Sequence, residues 1–386
     1  MSGRDLFCQP RRIRRGAALT LVFASVLVAG AATGNLPAAD RGTADGGARQ
    51  AAPAGRHADV ARAAQEAMAD GTSPMEAAQR AVSRSGDRWG AVYSPDEYEE
   101  FEDALDGHYT GVGLWARERD GRIEVARVGN GTPAADAGIR AGDRLRSVDG
   151  EKVDGRPVTE VVSLLRGDTT GEPAGTTVRL GLERGTRAWS ETLRRARLSR
   201  DTVTVRELSG RVVLIRVAAF TKGSGDEVRE AVRQAPAGAG IVLDLRGNSG
   251  GLVAEAVTAA SAFLDGGLVA TYDVEGEQRA LHAEPGGDTT RPLVALVDGG
   301  TMSAAELLTG ALQDRGRAVV VGSRTFGKGS VQMPAALPDG SVAELTVGHY
   351  RTPSGRGVDG RGLTPDLEAD EEAVRRAETV LSGLGR

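Results

Sequence analysis

The chain has 386 residues, room for two or three domains at about 150 residues each. Lys plus Arg number 48 and Asp plus Glu 53, and the net charge of −5 argues against a nucleic-acid-binding protein. Hydrophobic residues at 40% and charged residues at 26% fit a globular chain rather than a disordered or membrane-spanning one.

The chain opens on an export pattern. Arg11, Arg12, Arg14 and Arg15 precede an apolar stretch, Ala17–Ala32, that is shorter than the ~20 residues a spanning helix needs. Ala29-Gly30-Ala31 reads as a cleavage site, so residues 1–34 are expected to be a signal peptide, with an uncleaved N-terminal anchor as the alternative. Either reading places the rest outside the cytoplasm, secreted or held at the outer face of the membrane through residues 17–32. Cys8 is the only cysteine and lies in this leader, so no intramolecular disulfide and no CxxC site is possible. Residues 35–57, rich in Ala, Gly, Pro and Asp, read as a flexible tether.

Residues 58–107 form a helical segment. Val60, Ala64 and Met68, then Met75, Ala78 and Val82, recur at helical spacing, and Ser94-Pro95-Asp96-Glu97 is a capped helix start. From Tyr109 the apolar period changes to two. Gly111-Val112-Gly113-Leu114 is followed by Ile123, Val125 and Val128, then by Pro133-Ala134-Ala135-Asp136-Ala137-Gly138-Ile139-Arg140-Ala141-Gly142-Asp143. This run resembles a bacterial PDZ domain over 108–196. The resemblance makes Gly111, Val112, Gly113 and Leu114 the peptide-binding loop, where glycines let successive N–H groups point at one carboxylate beside a strand edge. It also makes Arg166 a regulatory residue.

From 197 to 386 apolar strands alternate with helices, the pattern of an α/β domain with partly parallel sheet. Three stretches carry chemistry. Leu243–Gly251 runs from a strand into a glycine turn, Asp298–Glu306 ends a strand and opens a helix at Ser303, and Gly322–Gln332 is read as a strand with Lys328 between glycines. A serine at a helix N-terminus suits a nucleophile, because the dipole and free N–H groups stabilise an oxyanion. It needs a base, and Lys328 serves once its pKa falls; no carboxylate neighbours it in sequence. Residues 328, 330 and 332 would share one face of a strand, so Gln332 is expected to orient the amine.

These stretches, with Tyr350-Arg351-Thr352-Pro353 near the end, resemble the C-terminal processing (tail-specific) serine peptidases. The resemblance implies a ClpP/crotonase-like α/β core with the PDZ domain inserted. It makes Ser303 the nucleophile, Lys328 the general base and Gln332 the orienting residue. The oxyanion hole would be the N–H groups of Ala304 and of the 248–251 turn, most plausibly Gly250. Asp298 and Met302 depart from the usual pattern: Asp298 would raise the base's pKa if close, and Met302 would alter the substrate pocket. The expected partners are proteins with accessible C-terminal tails, not nucleic acid, and oligomeric state is open. The four scattered histidines make no HExxH, and neither metal nor organic cofactor is implied.

Two rival readings come from other classes. Gly247-Asn248-Ser249-Gly250-Gly251 satisfies G-x-S-x-G, so Ser249 would be the nucleophile of a Ser–His–Asp hydrolase with His349. The other rival is a non-catalytic PDZ scaffold that binds tails.

Overall fold

The computed structural model describes residues 54–384 apart from 168–173, 209–210, 275–276 and 371. The expected leader and the tether up to residue 53 lie outside the described residues, as does most of the Gly/Pro-rich loop beginning at 168. The chain divides into two compact units, one spanning 110–198 and the other formed by the segments either side of it.

Among the described residues the larger unit begins with α1 (Ala54–Ala69), which takes in residues 54–57 that composition assigned to a tether. Ser73 caps α2 (Pro74–Ser85) by accepting from the Glu76 N–H, and Gly86 in the left-handed region stops it. Val60, Ala64, Ala78 and Val82 pack with Leu337, Ala343 and Leu345. Strand β1 (Ala91–Tyr93) follows. Then α3 (Pro95–Leu105) starts at Ser94 with the reciprocal Ser94–Glu97 hydrogen bonds that the sequence announces.

The inserted unit contains β2 (His108–Gly111), β3 (Leu114–Arg119), β4 (Arg122–Val128), α4 (Pro133–Asp136), β5 (Arg144–Val148), β6 (Glu151–Lys152), α5 (Val158–Arg166), β7 (Thr177–Arg184), β8 (Arg187–Arg194) and β9 (Ala196–Ser199). Its main sheet is antiparallel in the order β3-β4-β5-β7-β8, with β3 at an edge. Alternate residues, such as Val178, Leu180 and Leu182 of β7, point into a core closed by Val161 and Leu165 of α5. The buried Arg195 guanidinium donates to Leu164 O and Leu165 O, covering the C-terminal carbonyls of α5.

The larger unit resumes with β10 (Val203–Leu208), β11 (Val212–Val217), α6 (Ser224–Gln234), β12 (Gly240–Asp244), α7 (Val253–Ser261), β13 (Leu268–Val274), β14 (Glu277–His282) and β15 (Leu293–Val297). After these come α8 (Ala304–Asp314), β16 (Val319–Gly322), β17 (Ser330–Ala336), β18 (Val342–Arg351), β19 (Leu367–Glu368) and α9 (Ala373–Leu384). Strands β11, β12, β15, β16 and β19 are parallel neighbours, with β10 antiparallel at one edge. Every residue of β12 and β15 is buried, as a sheet covered on both faces requires. Ile241, Leu243, Leu293 and Ala295 face one core, while Val242, Val294 and Leu296 face Ala373, Ala377 and Leu381 of α9. A second sheet runs β1-β18-β13-β14, with β17 also paired to β18. Because β12 and β15 are adjacent and parallel, their C-terminal loops lie side by side, the usual place for a site in such sheets.

Candidate active site

The two loops are laced together. Asp298 Oδ1 accepts the N–H groups of Gly247 and Gly300, each at 2.9 Å, and Met302 N–H donates to Asn248 O at 2.8 Å. Asn248 is fully buried and donates from Nδ2 to Val217 O at 2.9 Å. Ser303 then sits at the N-cap of α8 with φ 53° and ψ −116°, a backbone conformation costing about 1–3 kcal/mol in a non-glycine residue. Neighbours hold it there. Its N–H donates to Glu306 Oε2 at 2.9 Å, and its carbonyl accepts the Tyr350 hydroxyl at 3.0 Å.

Glu306 is the hinge of the site. Its fully buried carboxylate also accepts the Thr325 hydroxyl at 2.5 Å, Gly327 N–H at 2.7 Å and Lys328 N–H at 2.9 Å. One oxygen, Oε2, therefore receives the backbone N–H of both Ser303 and Lys328. Burial raises the Glu306 pKa, and the four donors oppose that rise. The one sequence signal for Glu306 is Ser303-x-x-Glu306, the capping-box spacing.

Lys328 is also fully buried, and burial brings its pKa down to about 8. Glu344, Asp87 and Asp359 pull it the other way. The expectation of a base with no carboxylate nearby is thus corrected: the fold delivers three from distant segments, and Asp298 is not among them. Lys328 is not on a strand. Residues 324–329 are irregular, and β17 starts at Ser330. Gly327 has φ 92°, and a side chain on Gly329 would meet Asp359 N at 2.5 Å, so this loop follows a path a regular strand does not take. The Lys328 ammonium lies 5.3 Å from the centre of the Trp89 ring.

Gln332 follows a register shift between Val331 and Gln332, so the simple alternation 328, 330, 332 does not hold. Its Nε2 donates to Trp89 O at 2.5 Å, and its Oε1 is buried without a hydrogen-bond partner. The expected bond from Lys328 to Gln332 Oε1 is absent from this state. Opposite Ala91, Glu344 of β18 is fully buried with neither carboxylate oxygen hydrogen-bonded. Burial raises its pKa to about 7 against the Lys328 charge. Nothing local in sequence marks Trp89 or Glu344; Trp89 and Gln332 are 243 positions apart.

Gly250 lies against Ser303, and a Cβ there would meet Ser303 Cβ at 2.9 Å and Ala304 N at 3.3 Å. Its N–H, expected to be free for an oxyanion, donates to Asn248 Oδ1 at 2.8 Å in this structure. Ala304 opens α8, where an N–H has no intrahelical acceptor. An apolar pocket beside Ser303 is lined by Val253, Tyr272, Leu281, Leu307, Val331 and Tyr350; Met302 is not part of it. Ser249 gains no triad. His349 is exposed, with Nε2 3.7 Å from Asp359, and no hydrogen bond joins Ser249 to His108, His282 or His349 among the described residues.

In the inserted unit, Val112 O accepts Ala134 N–H and Gly113 O accepts Gly129 N–H, both at 2.9 Å. Across a trans peptide the C=O and the following N–H point oppositely, so the N–H groups of Gly113 and Leu114 face away from those partners. Gly113 has φ 79°, and a Cβ on it would overlap Thr132. Gly111 and Val112 complete this buried loop, and Arg166 ends α5.

The fold and its buried serine and lysine fit one class, the α/β serine peptidases that carry a PDZ unit. Residues 211–369 match peptidase family S41, and residues 124–183 match a PDZ domain. The carboxy-terminal processing protease CtpA of Bacillus subtilis is 31% identical over 289 residues, 74% of this chain and 61% of that protein. The carboxy-terminal-processing protease of Bartonella bacilliformis is 30% identical over 310 residues, 77% of this chain and 70% of that one. Among solved structures, the photosystem II D1 C-terminal processing protease aligns at 29% identity and a TM-score of 0.51, over 81% of this chain and 86% of that one. The chain belongs to the carboxy-terminal processing proteases of peptidase family S41. It spans 61% and 58% of the length of the Bacillus protein and of the Arabidopsis thaliana chloroplastic peptidase 3.

Proposed function

We propose that this chain is an exported serine endopeptidase that captures protein C-terminal tails with its PDZ unit and cleaves peptide bonds with Ser303, Lys328 and Gln332. Glu306 is the observation that carries the reading, since it pins the nucleophile's N–H and the base's N–H to one carboxylate oxygen while burial takes Lys328 to about 8. A lysine near 8 has a usable neutral fraction close to neutrality, which an ordinary lysine lacks.

Neutral Lys328 takes the Ser303 hydroxyl proton as Oγ attacks the scissile carbonyl carbon. The oxyanion is met by Ala304 N–H at the positive end of α8 and by Gly250 N–H, which the Asn248 amide must release or share. The tetrahedral species collapses, and the Lys328 ammonium protonates the leaving amine. Water, deprotonated by Lys328, then releases the acyl group and restores Ser303. Gln332 Oε1, buried and unmatched, is the acceptor for the ammonium formed midway. The apolar pocket beside Ser303 suits a small apolar side chain before the cut. No metal or cofactor enters this scheme.

In the same reading the core is of the ClpP/crotonase-like kind, residues 1–34 export the chain or anchor it, and Arg166 at the end of α5 couples tail capture to activity. The test is cleavage of an unfolded protein with an apolar C-terminal tail by the full chain and by its Ser303→Ala and Lys328→Ala variants. Cleavage by the parent alone is expected. Equal cleavage by Ser303→Ala would move the nucleophile elsewhere and overturn the mechanism.

A further inference from the structure

The two faces of edge strand β3 differ. Leu114 and Ala116 turn toward the core of the inserted unit, and α5 packs along the same strand. Trp115, Arg117 and Arg119 turn the other way and are exposed. The register carries this outer face onto β4, pairing Trp115 with Arg127, Arg117 with Glu124 and Arg119 with Arg122. The Arg127 guanidinium stacks 3.7 Å from the centre of the Trp115 ring, and Arg117 reaches Glu124 at 3.2 Å. Four arginines and one glutamate make the face strongly basic in a chain whose net charge is −5.

A tail whose terminal carboxylate meets the Gly113 and Leu114 N–H groups lies at the N-terminal end of β3. It can extend along β3 only antiparallel. Directly opposed residues share a face. The last and third-last tail residues then lie with Leu114 and Ala116, against apolar surface. The second-last and fourth-last lie beside Trp115–Arg127 and Arg117, and the sixth-last beside Arg119.

We propose that the inserted unit selects acidic tails, apolar at the last and third-last residues and carrying Asp or Glu at the second-last and fourth-last, read by Trp115, Arg127 and Arg117. This rests on the tail-capture reading above. Charge complementarity commits the edge to an acidic peptide, and a guanidinium stacked on a ring, as Arg127 is on Trp115, keeps N–H donors that can pair with a carboxylate.

Fluorescence polarisation with the full-length Ser303→Ala protein separates the two ideas. The labelled decapeptides end in apolar residues and differ only at the second-last and fourth-last positions, as Glu, Ala or Lys. An amidated copy of the Glu peptide completes the set. The Glu peptide is expected to bind about tenfold tighter than the Lys peptide, with the difference shrinking at high salt. Arg117→Glu with Arg127→Glu should reverse that order, and amidation should weaken binding. Equal affinity for all three free-acid peptides would overturn the acidic preference and leave tail capture standing. No binding by any free-acid peptide, or no loss on amidation, would overturn tail capture itself.

Discussion

Two buried carboxylates in the larger unit differ in how they are satisfied. Glu306, on the helix that Ser303 opens, accepts four hydrogen bonds; Glu344, on β18, accepts none. Burial raises the pKa of both, but at Glu306 fixed donors oppose the shift, whereas at Glu344 only the Lys328 charge does. A carboxylate held by its own donors can serve as a rigid strut. A carboxylate without donors titrates near neutrality, at about 7, beside an amine at about 8, so each responds to the other's charge. The strut fixes the backbone of Ser303 and Lys328, and the unsatisfied group, with Asp87 and Asp359, opposes the fall that burial imposes on the Lys328 pKa.

Four experiments press on that contrast. Lys328→Ala removes the base and should lower kcat on an unfolded substrate by about 10³-fold or more; a rate within tenfold of the parent would remove Lys328 from the chemistry. Gly250→Ala places a Cβ at 2.9 Å from Ser303 Cβ at φ 99° and should reduce kcat about 10²-fold. Steady-state kinetics with KM nearly unchanged would match a defect confined to the oxyanion step.

Glu306→Gln keeps the shape but turns an NH₂ toward buried donors. At about 1–3 kcal/mol per unmatched group, it should lower Tm by several degrees and kcat by about tenfold. An unchanged Tm would show that Glu306 is no strut. Glu344→Gln should leave Tm nearly unaltered and act on the pH profile instead. A carboxylate beside an amine favours the ammonium, so its loss lowers the Lys328 pKa further. The rising limb of kcat/KM, which follows formation of the neutral amine, should move to lower pH, with a few-fold gain at slightly acid pH. A limb that stays put would uncouple Glu344 from Lys328.

Much of the site was readable because its signals are local. The capped start of α3, the apolar runs of β12 and β15, and the serine opening α8 each follow from spacing within a dozen residues. The error at Lys328 was local too. Glycines at 327 and 329 are compatible with a strand by spacing alone, but Gly327 at φ 92° and the packing of Gly329 on Asp359 take the chain away from one.

Residue types in order were enough to suggest two units and the candidate serine, lysine and glutamine, and to exclude a disulfide within the chain. Apolar period, caps and glycines act over a few bonds, and are therefore visible in a string. Only the tertiary structure decided the electrostatics. It set Trp89, from the far N-terminal segment, and Glu344, from the strand paired with β17, beside Lys328, turned the Gly250 N–H onto Asn248, and left Gln332 Oε1 unmatched. Desolvation and Coulomb interaction depend on distance through space and on what excludes water, and neither quantity is written in the spacing of residues along the chain.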